Sequence, residues 1–226
     1  VIPYNSIEAA EKAIKENKNE VAALIVEPVA YNMGCVLPKK DYLKALREIT
    51  EKNDVLLIFD EVVSGFRVAP GGAQEYYRVT PDIATFAKAI ANGFPLSAVA
   101  ARRDIMEVTR PGGKVMYGGV YNGSHVSLAA ASATLDVLVE EKLWEKAAKL
   151  GEYFVSGLRK LAEKHRIVRE VRGLGLMLGM ELRFDVLDVM EKMLEKGVLI
   201  LNAGRNVLRF LPPCVITEKQ IDKVIE

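Results

Sequence analysis

Three short apolar runs in the first hundred residues constrain the fold of this chain more than any other feature. They occupy residues 22–27, 55–60 and 83–88, and each ends on a charged residue. Because their apolar residues are consecutive rather than alternating, they are typical of strands covered on both faces, as in a parallel sheet. Residues 39–52 carry leucine and isoleucine at helical spacing and predict a crossover helix between the first two runs. The first part of the chain is therefore predicted to be α/β.

The second part of the chain has a different pattern. A long helical stretch covers residues 127–164 and is broken near Glu141. Strand-like segments follow at residues 167–171, 176–182, 198–201 and 207–211, with helices at residues 186–196 and 218–225. This mixture is that of a smaller α+β domain. We therefore predict two domains, residues 1–140 and residues 141–226.

Composition excludes several classes of protein. The 226 residues include 31 Lys and Arg against 30 Asp and Glu, a net charge of +1, which argues against a nucleic-acid-binding protein. The apolar runs are shorter than the roughly 18 residues of a membrane span. Cys35 and Cys214 are far apart, and so are His125 and His165, so no disulfide framework or metal site is predicted. We expect a soluble protein in a reducing, cytoplasmic compartment.

Ionisable residues stand where the three predicted strands end. Ligands of open parallel sheets bind beyond the carboxyl ends of the strands, and Glu27, Asp60 and Lys88 lie there. Taken singly, each of them is explained as the point where a strand leaves the core. A lysine that is desolvated at such an edge becomes a nucleophilic amine, and a nearby carboxylate can hold a proton on a heteroaromatic nitrogen. This pair is what pyridoxal phosphate requires, although a structural Lys88–Asp60 ion pair is the alternative.

A nucleotide-binding interpretation of the second run is weaker. Residues 55–61 have the form of a Walker B strand, in which apolar residues precede Asp-Glu. The chain contains no G-x-x-x-x-G-K-[ST] loop, and the glycines at residues 173–179 miss the dinucleotide spacing by one residue. An ATPase is therefore not favoured.

Longer motifs around these residues resemble a known family. The stretches DEVVSGFRVAPGGAQEYY (60–77), TPDIATFAK (80–88) and GFP (93–95) are similar to the class III pyridoxal-phosphate aminotransferases. They are most like glutamate-1-semialdehyde aminomutase and its relatives, as is EPVAYNMG (27–34). The resemblance implies the large domain of a type I fold, with a three-layer, mostly parallel sheet.

The same resemblance implies roles for individual residues. Lys88 would form the Schiff base with pyridoxal 5′-phosphate and move the proton, and Asp60 would pair with the ring nitrogen. Val62 would pack against the ring, and Asn32 would lie near its phenol oxygen. Glu27 would also be a cofactor-binding residue.

The carboxyl-terminal part resembles another branch of the family. The stretches at residues 172–182 and 204–213 are similar to acetylornithine-type aminotransferases, in which the arginine matching Arg209 holds the substrate α-carboxylate. That branch carries a glutamate where this chain has residues 31–33, Tyr-Asn-Met, so we expect Arg209 to be permanently available. Where the family has a threonine whose hydroxyl reaches the cofactor phosphate of the neighbouring subunit, this chain has Val120. The backbone amides of Gly119 or Val120, or Ser124 one turn later, are expected to replace it.

These observations predict an aminotransferase that moves an amino group between an amino acid and a keto acid or aldehyde. We expect a homodimer with no nucleic-acid or membrane partner. One alternative is a glutamate-1-semialdehyde 2,1-aminomutase; another is a catalytically silent module that dimerises or binds a partner chain. Family members are longer and begin well before Val1. We therefore expect a fragment, one part of a split enzyme with a separate amino-terminal chain, or the later half of a larger protein.

Overall fold

The computed structural model describes residues 1–116 and 118–226 and divides the chain into two compact units. The first unit consists of Val1–Pro28 and Pro38–Glu141, and the second of Val29–Leu37 and Lys142–Glu226. The predicted division treated residues 1–140 as continuous, whereas residues 29–37 cluster with the second unit. They do so because their contacts are with its strands, as described below.

The first unit contains four strands, five α-helices and two short 3₁₀ helices among the described residues. The strands are β1 (Ala23–Val26), β2 (Leu56–Asp60), β3 (Ile83–Phe86) and β4 (Ala98–Ala101). The α-helices are α1 (Ile7–Glu16), α2 (Tyr42–Lys52), α3 (Gly72–Tyr77), α4 (Arg103–Met106) and α5 (His125–Glu140), and the 3₁₀ helices are Lys88–Ala91 and Glu107–Thr109. The apolar runs of the sequence do not predict β4, which is short and is followed directly by polar residues.

The strands of the first unit form one sheet in the order β1-β2-β3-β4. The first three strands are parallel, and β4 runs antiparallel to β3. Leu57 and Phe59 on β2 are fully buried against Leu46 of α2 and Ala10 of α1, so one face is covered by these two helices. The consecutive apolar residues of β2 suit a central strand of such a sheet. The predicted α/β class, with a mostly parallel sheet, is confirmed.

Cover is incomplete at the two edge strands. Ile25 on β1 and Val99 on β4 are 64% and 57% exposed. The prediction that the strands of the three apolar runs are covered on both faces is therefore wrong for β1, because no described element of this unit packs over Ile25.

The second unit is an antiparallel sheet packed against helices. Its elements are α6 (Leu143–Lys164), β5 (Val168–Leu174), β6 (Met177–Leu182), α7 (Leu187–Glu195), β7 (Leu201–Ala203), β8 (Val207–Phe210) and α8 (Glu218–Ile225). The strand order is β5-β6-β8-β7, with every neighbouring pair antiparallel. The buried side chains of Phe154 and Leu158 on α6 meet Leu178, Leu208 and Phe210 from the sheet. This is the predicted α+β pattern.

Residues 29–37 are held on this second sheet by polar contacts. An antiparallel bridge between Ala30 and Val36 closes the segment into a tight turn. The Cys35 thiol donates to the carbonyl oxygen of Met177 at 3.1 Å, and Arg172 Nε donates to the carbonyl oxygen of Gly34 at 2.8 Å. A Cβ atom at Gly179 would lie 2.6 Å from the oxygen of Gly34, so a glycine is required for the segment to approach β6.

Within residues 1–116 and 118–226, no helix is both long enough and apolar enough to cross a membrane.

Candidate active site

Asp60 ends β2 and is held by its neighbours through one carboxylate oxygen. Oδ1 accepts the backbone N–H of Val62 at 3.0 Å and the hydroxyl of Thr85 at 3.5 Å. Thr85 is the register partner of Asp60 on β3. Oδ2 accepts no hydrogen bond from any residue of the described ranges. A half-buried carboxylate with one oxygen free can therefore accept a short, charge-assisted bond from a protonated nitrogen.

Lys88 lies two residues beyond β3 and begins the 3₁₀ helix Lys88–Ala91. Its φ angle is 50°, in the left-handed region, so the chain turns sharply where the strand ends. The prediction that this lysine is desolvated is wrong, because its side chain is exposed. The strand ends at Phe86, and the turn carries Lys88 out of the apolar layer in which residues 83–86 pack. Both residues of the alternative Lys88–Asp60 ion pair are described, and no ion pair joins them.

The ionisable residues predicted to converge lie at one edge of the first sheet. Val26 pairs with Phe59 in the parallel register, so Glu27 and Asp60 each come one residue later on neighbouring strands. Lys88 follows β3, the next strand in the sheet. Because parallel strands end at the same edge, the ends of β1, β2 and β3 bring these residues to the carboxyl edge, where ligands of open α/β sheets bind. Val62, two residues after β2, is half-buried at the same edge.

Glu61 has a role that the sequence analysis missed. Its side chain is fully buried, and its carboxylate accepts four hydrogen bonds, from the hydroxyl of Ser64, the N–H groups of Ala73 and Gln74, and the Gln74 amide. The two backbone donors lie in the first turn of α3, where N–H groups lack partners within the helix. Glu61 thereby ties the loop after Asp60 to α3. The signal for this role in the sequence is the adjacent Asp-Glu pair, whose second member also completes the Walker-like pattern.

Free backbone donors precede helix α5. Gly119 and Val120 are exposed, and their N–H groups donate to no residue within the described part of the chain. The Ser124 side chain does not cap α5, so the donors of its first turn are also uncapped. A hollow of about 670 Å³ lies next to this segment, lined by residues 95–98, residues 121–123 and neighbouring apolar side chains. Such N–H groups near a helix N-terminus are suited to binding a phosphate.

Arg209 on β8 contacts two residues of the turn at 29–37. Its Nη1 donates to Oδ1 of Asn32 at 3.1 Å, and its Cζ lies 5.1 Å from the centre of the Tyr31 ring. Asn32 is exposed, whereas Tyr31 is only 2% exposed. The second unit therefore brings together two residues that the sequence analysis named separately, Asn32 and Arg209, and adds Tyr31 as an aromatic neighbour.

Comparison with known protein families identifies the family of this chain. The chain matches the family Aminotransferase class-III over residues 3–226. The chain belongs to the class III aminotransferases. This membership confirms the resemblance drawn from the motifs around Asp60 and Lys88.

Named relatives from both predicted branches match this class III chain. It is 40% identical to a glutamate-1-semialdehyde 2,1-aminomutase from Methanocaldococcus jannaschii, covering 100% of this chain and 55% of that protein. It is also 40% identical to an acetylornithine aminotransferase of the same organism, covering 99% of this chain and 55% of that protein. Among solved structures, an ornithine aminotransferase from Plasmodium yoelii has a TM-score of 0.90 and 34% identity, over 99% of this chain and 60% of that one. The class III chain thus spans little more than half the length of these relatives.

The cofactor of the class III family is pyridoxal 5′-phosphate, and the residues at the edge of the first sheet fit it. Lys88 offers an exposed primary amine, and Asp60 offers a carboxylate oxygen without a partner among the described residues. Val62 offers an apolar side chain to a ring, and Gly119 and Val120 offer backbone N–H groups to a phosphate. The aldehyde, the ring nitrogen, the ring face and the phosphate of the cofactor therefore each have a complementary group in the first unit of this class III chain.

Proposed function

We propose that this chain carries the catalytic lysine of a pyridoxal-phosphate-dependent aminotransferase that moves an amino group between an amino acid and a keto acid or aldehyde. The observation that carries the proposal is the placement of Asp60 and Lys88 after two neighbouring parallel strands, β2 and β3. An amine and a carboxylate at adjacent strand ends combine the two functions that this chemistry needs.

The proposal assigns a task to each residue. When bound, pyridoxal phosphate acts as an electron sink for negative charge at the substrate carbon. Lys88 would hold the cofactor through Nζ, and its free amine would move a proton to and from the substrate carbon. The free oxygen of Asp60 holds the proton on the ring nitrogen, so the electron sink keeps its charge. Val62 packs against the ring, and Arg209 binds the substrate carboxylate through its planar guanidinium.

Further tasks concern the rest of the cofactor. We assign the backbone amides of Gly119 and Val120 to the phosphate, supported by their exposure and their lack of described acceptors. We assign Asn32 and Glu27 to the neighbourhood of the cofactor, as the family motif at residues 27–34 implies.

The experiment that tests the proposal is reductive labelling. The purified protein is incubated with pyridoxal phosphate, reduced with borohydride, digested and examined by mass spectrometry. We expect one pyridoxyl group on Nζ of Lys88, and none at that position in Lys88→Arg. Lys114, an exposed lysine of the same unit, serves as the matched control in Lys114→Arg, which should label like the unchanged protein. Labelling only at other lysines would overturn the assignment.

A glutamate-1-semialdehyde 2,1-aminomutase is the second candidate. It is favoured by the segment Glu27–Asn32, which is similar to the aminomutase branch, and by the relative of that name. An aminomutase returns the amino group to the same carbon skeleton and consumes no second substrate. The two candidates are separated by incubating the protein with glutamate-1-semialdehyde alone and then with an amino acid plus 2-oxoglutarate. Product from the first mixture supports the aminomutase, and a new keto acid in the second supports the aminotransferase.

We propose a homodimer as the working assembly. Helix α5 is apolar on several sides, and Val126, Val137 and Val139 on it are exposed. A helix of this kind normally lies inside a protein or an interface. Light scattering coupled to gel filtration should give twice the chain mass. The monomer mass would contradict the homodimer, and co-purification with a separate amino-terminal chain would favour a two-chain enzyme instead.

A cytoplasmic location is proposed from the cysteines. Cys35 and Cys214 are both thiols outside any disulfide bond, a state that reducing compartments maintain.

A further inference from the structure

Two arginines occupy the same row of the second sheet with a glycine between them. Arg172 on β5 pairs in register with Gly179 on β6, and Gly179 pairs with Arg209 on β8. Because directly paired residues point to the same face of a sheet, both arginines flank the place where the turn at residues 29–37 approaches Gly179. The two guanidinium groups nevertheless have different surroundings.

Arg172 has its charge compensated within the fold. Nη1 lies 2.7 Å from a carboxylate oxygen of Glu170 and 2.9 Å from one of Glu181. Nε donates to the carbonyl oxygen of Gly34. The Arg172 side chain is 11% exposed and forms ion pairs with two carboxylates, so it is a structural cation that fastens the turn to the sheet.

Arg209 has no such compensation. No carboxylate of the described residues lies within ion-pair distance of it, and its Nε is buried with no acceptor among those residues. Its observed contacts are the neutral amide of Asn32 and the aromatic face of Tyr31. A cation above an aromatic ring is stabilised by the negative face of the ring, but its full charge remains available to an anion.

The position of the Tyr31 ring is set by the turn. The carbonyl oxygen of Tyr31 accepts hydrogen bonds from the N–H groups of Gly34 and Cys35 at 3.0 and 3.2 Å. The N–H group of Tyr31 donates to the carbonyl oxygen of Val29 at 2.7 Å. The ring is almost completely buried. It is therefore a rigid plane, fixed by the same segment that Arg172 fastens to the sheet.

We propose that Tyr31 is the positioning residue for Arg209: its ring holds the guanidinium ready for a carboxylate ligand without neutralising it. Asn32 assists as a neutral acceptor. This inference rests on the proposed function, in which Arg209 receives the substrate carboxylate. It adds to that function that the site is open to α-carboxylates at all times, because no internal carboxylate has to be displaced before a substrate binds.

Four variants test the inference with glutarate as the probe. Tyr31→Leu removes the ring at similar bulk, Tyr31→Phe keeps it, and Asn32→Asp places a carboxylate beside Arg209. Tyr76→Leu is the matched control, because Tyr76 is a half-exposed tyrosine of the first unit with no part in the site. Two measurements are made on each purified protein: the Kd of glutarate by calorimetry, and the protection by glutarate of Arg209 against phenylglyoxal, located by mass spectrometry.

We expect Tyr31→Leu to raise the Kd about threefold to tenfold and to reduce the protection, as the loss of a cation–π contact implies. Tyr31→Phe should stay within about twofold, since the ring is preserved. Asn32→Asp should raise the Kd tenfold or more, because the new carboxylate competes with the ligand for Arg209. A general folding defect would lower the melting temperature of Tyr31→Leu, which is therefore measured on every variant.

Equal weakening in Tyr31→Leu and Tyr31→Phe, or an unchanged Kd in Tyr31→Leu, would overturn the inference. An unchanged Kd in Asn32→Asp would also do so. Borohydride labelling of Lys88 is run in parallel on every variant. If Lys88 is labelled throughout while the Kd fails to change, the positioning inference fails alone; if Lys88 is not labelled in the unchanged protein, the proposed function fails.

Discussion

Lys88 has a backbone conformation that residues other than glycine rarely adopt. Its φ of 50° costs on the order of 1 kcal/mol, because Cβ crowds the following carbonyl oxygen. Such a residue persists where the surrounding structure over-determines it, and functional sites are where this happens most often. Asn92, at the end of the same 3₁₀ segment, also has a positive φ, of 46°. The segment is thus bent at both ends, and the lysine is presented at the sheet edge by the backbone rather than by an apolar pocket.

Asp60→Asn provides the sharpest residue-scale prediction. Asparagine keeps the shape and an acceptor for the Val62 N–H, but it loses the negative charge that holds a proton on the ring nitrogen. We expect the amino-transfer rate to fall about 10²- to 10³-fold, as for the loss of one preorganised electrostatic contact. Steady-state kinetics measure this, with Asp54→Asn as the control, because Asp54 is an exposed aspartate. A loss of less than threefold would remove Asp60 from the mechanism.

At the scale of elements, the loop between β2 and α3 is built around the buried carboxylate of Glu61. Four hydrogen bonds converge on it, and each removed partner would leave a buried polar group unsatisfied. The tight fit requires glycine at position 72, where φ is +77° and a Cβ atom would overlap the Glu61 carboxylate. Since this loop begins immediately after Asp60, its rigidity also limits the movement of the candidate site.

Gly72→Ala should therefore destabilise the protein by about 2–4 kcal/mol, from backbone strain plus displacement of a buried, bonded carboxylate. Gly112→Ala is the matched control: Gly112 has a φ of +81° and open space around its Cβ position. It should cost about 1–2 kcal/mol, from backbone strain alone. Urea denaturation of both variants measures the difference. Equal losses would show that the contact with Glu61 contributes nothing.

At the scale of the whole molecule, acidic and basic residues are almost balanced at neutral pH, and stability against acid depends on the carboxylates whose pKa the fold lowers. Asp82 is the strongest candidate because its side chain is 5% exposed and joins separate elements. It accepts the Leu57 N–H, Arg47 Nη1 and Arg102 Nη1, each at 2.7 Å. Burial raises the pKa of Asp82, but the hydrogen bonds from Leu57 and Arg47 and the two arginine charges outweigh burial, and the pKa lies below its ordinary value.

The lowered pKa determines the pH dependence. A carboxyl group with a pKa lower in the folded state stabilises the protein above its unfolded-state pKa, and this contribution is lost as the pH falls through the folded-state pKa. Asp82→Asn should cost about 2–4 kcal/mol at pH 7, and the difference from the unchanged protein should shrink below about pH 4. Denaturation at pH 7 and pH 3 tests this. Asp104→Asn, which alters only an exposed partner of Arg102, should change stability little. A difference independent of pH would contradict the assignment.

Much of the fold and part of the site were predictable from the sequence, because they depend on local patterns. Consecutive apolar residues marked β2, and helical spacing marked α2. The strand ends placed Asp60 and Lys88 after neighbouring strands. The family motifs then supplied roles that no spacing rule contains. The exposure of Lys88 was not predictable, since an apolar run does not reveal where the strand stops and the chain turns.

What the sequence determined by itself is the order of the elements, the class of each unit, the family and the residue types available for catalysis, since these follow from short-range periodicity and contiguous motifs. Tertiary structure alone decided which distant groups meet. Asn32 and Arg209 are 177 positions apart, yet they share a hydrogen bond, and the turn that carries Asn32 packs with strands that follow it by more than a hundred residues. The physical reason is that such contacts depend on how closely whole elements approach, as at Gly179, and on how their charges are compensated, as at Arg172. No local sequence pattern encodes either property.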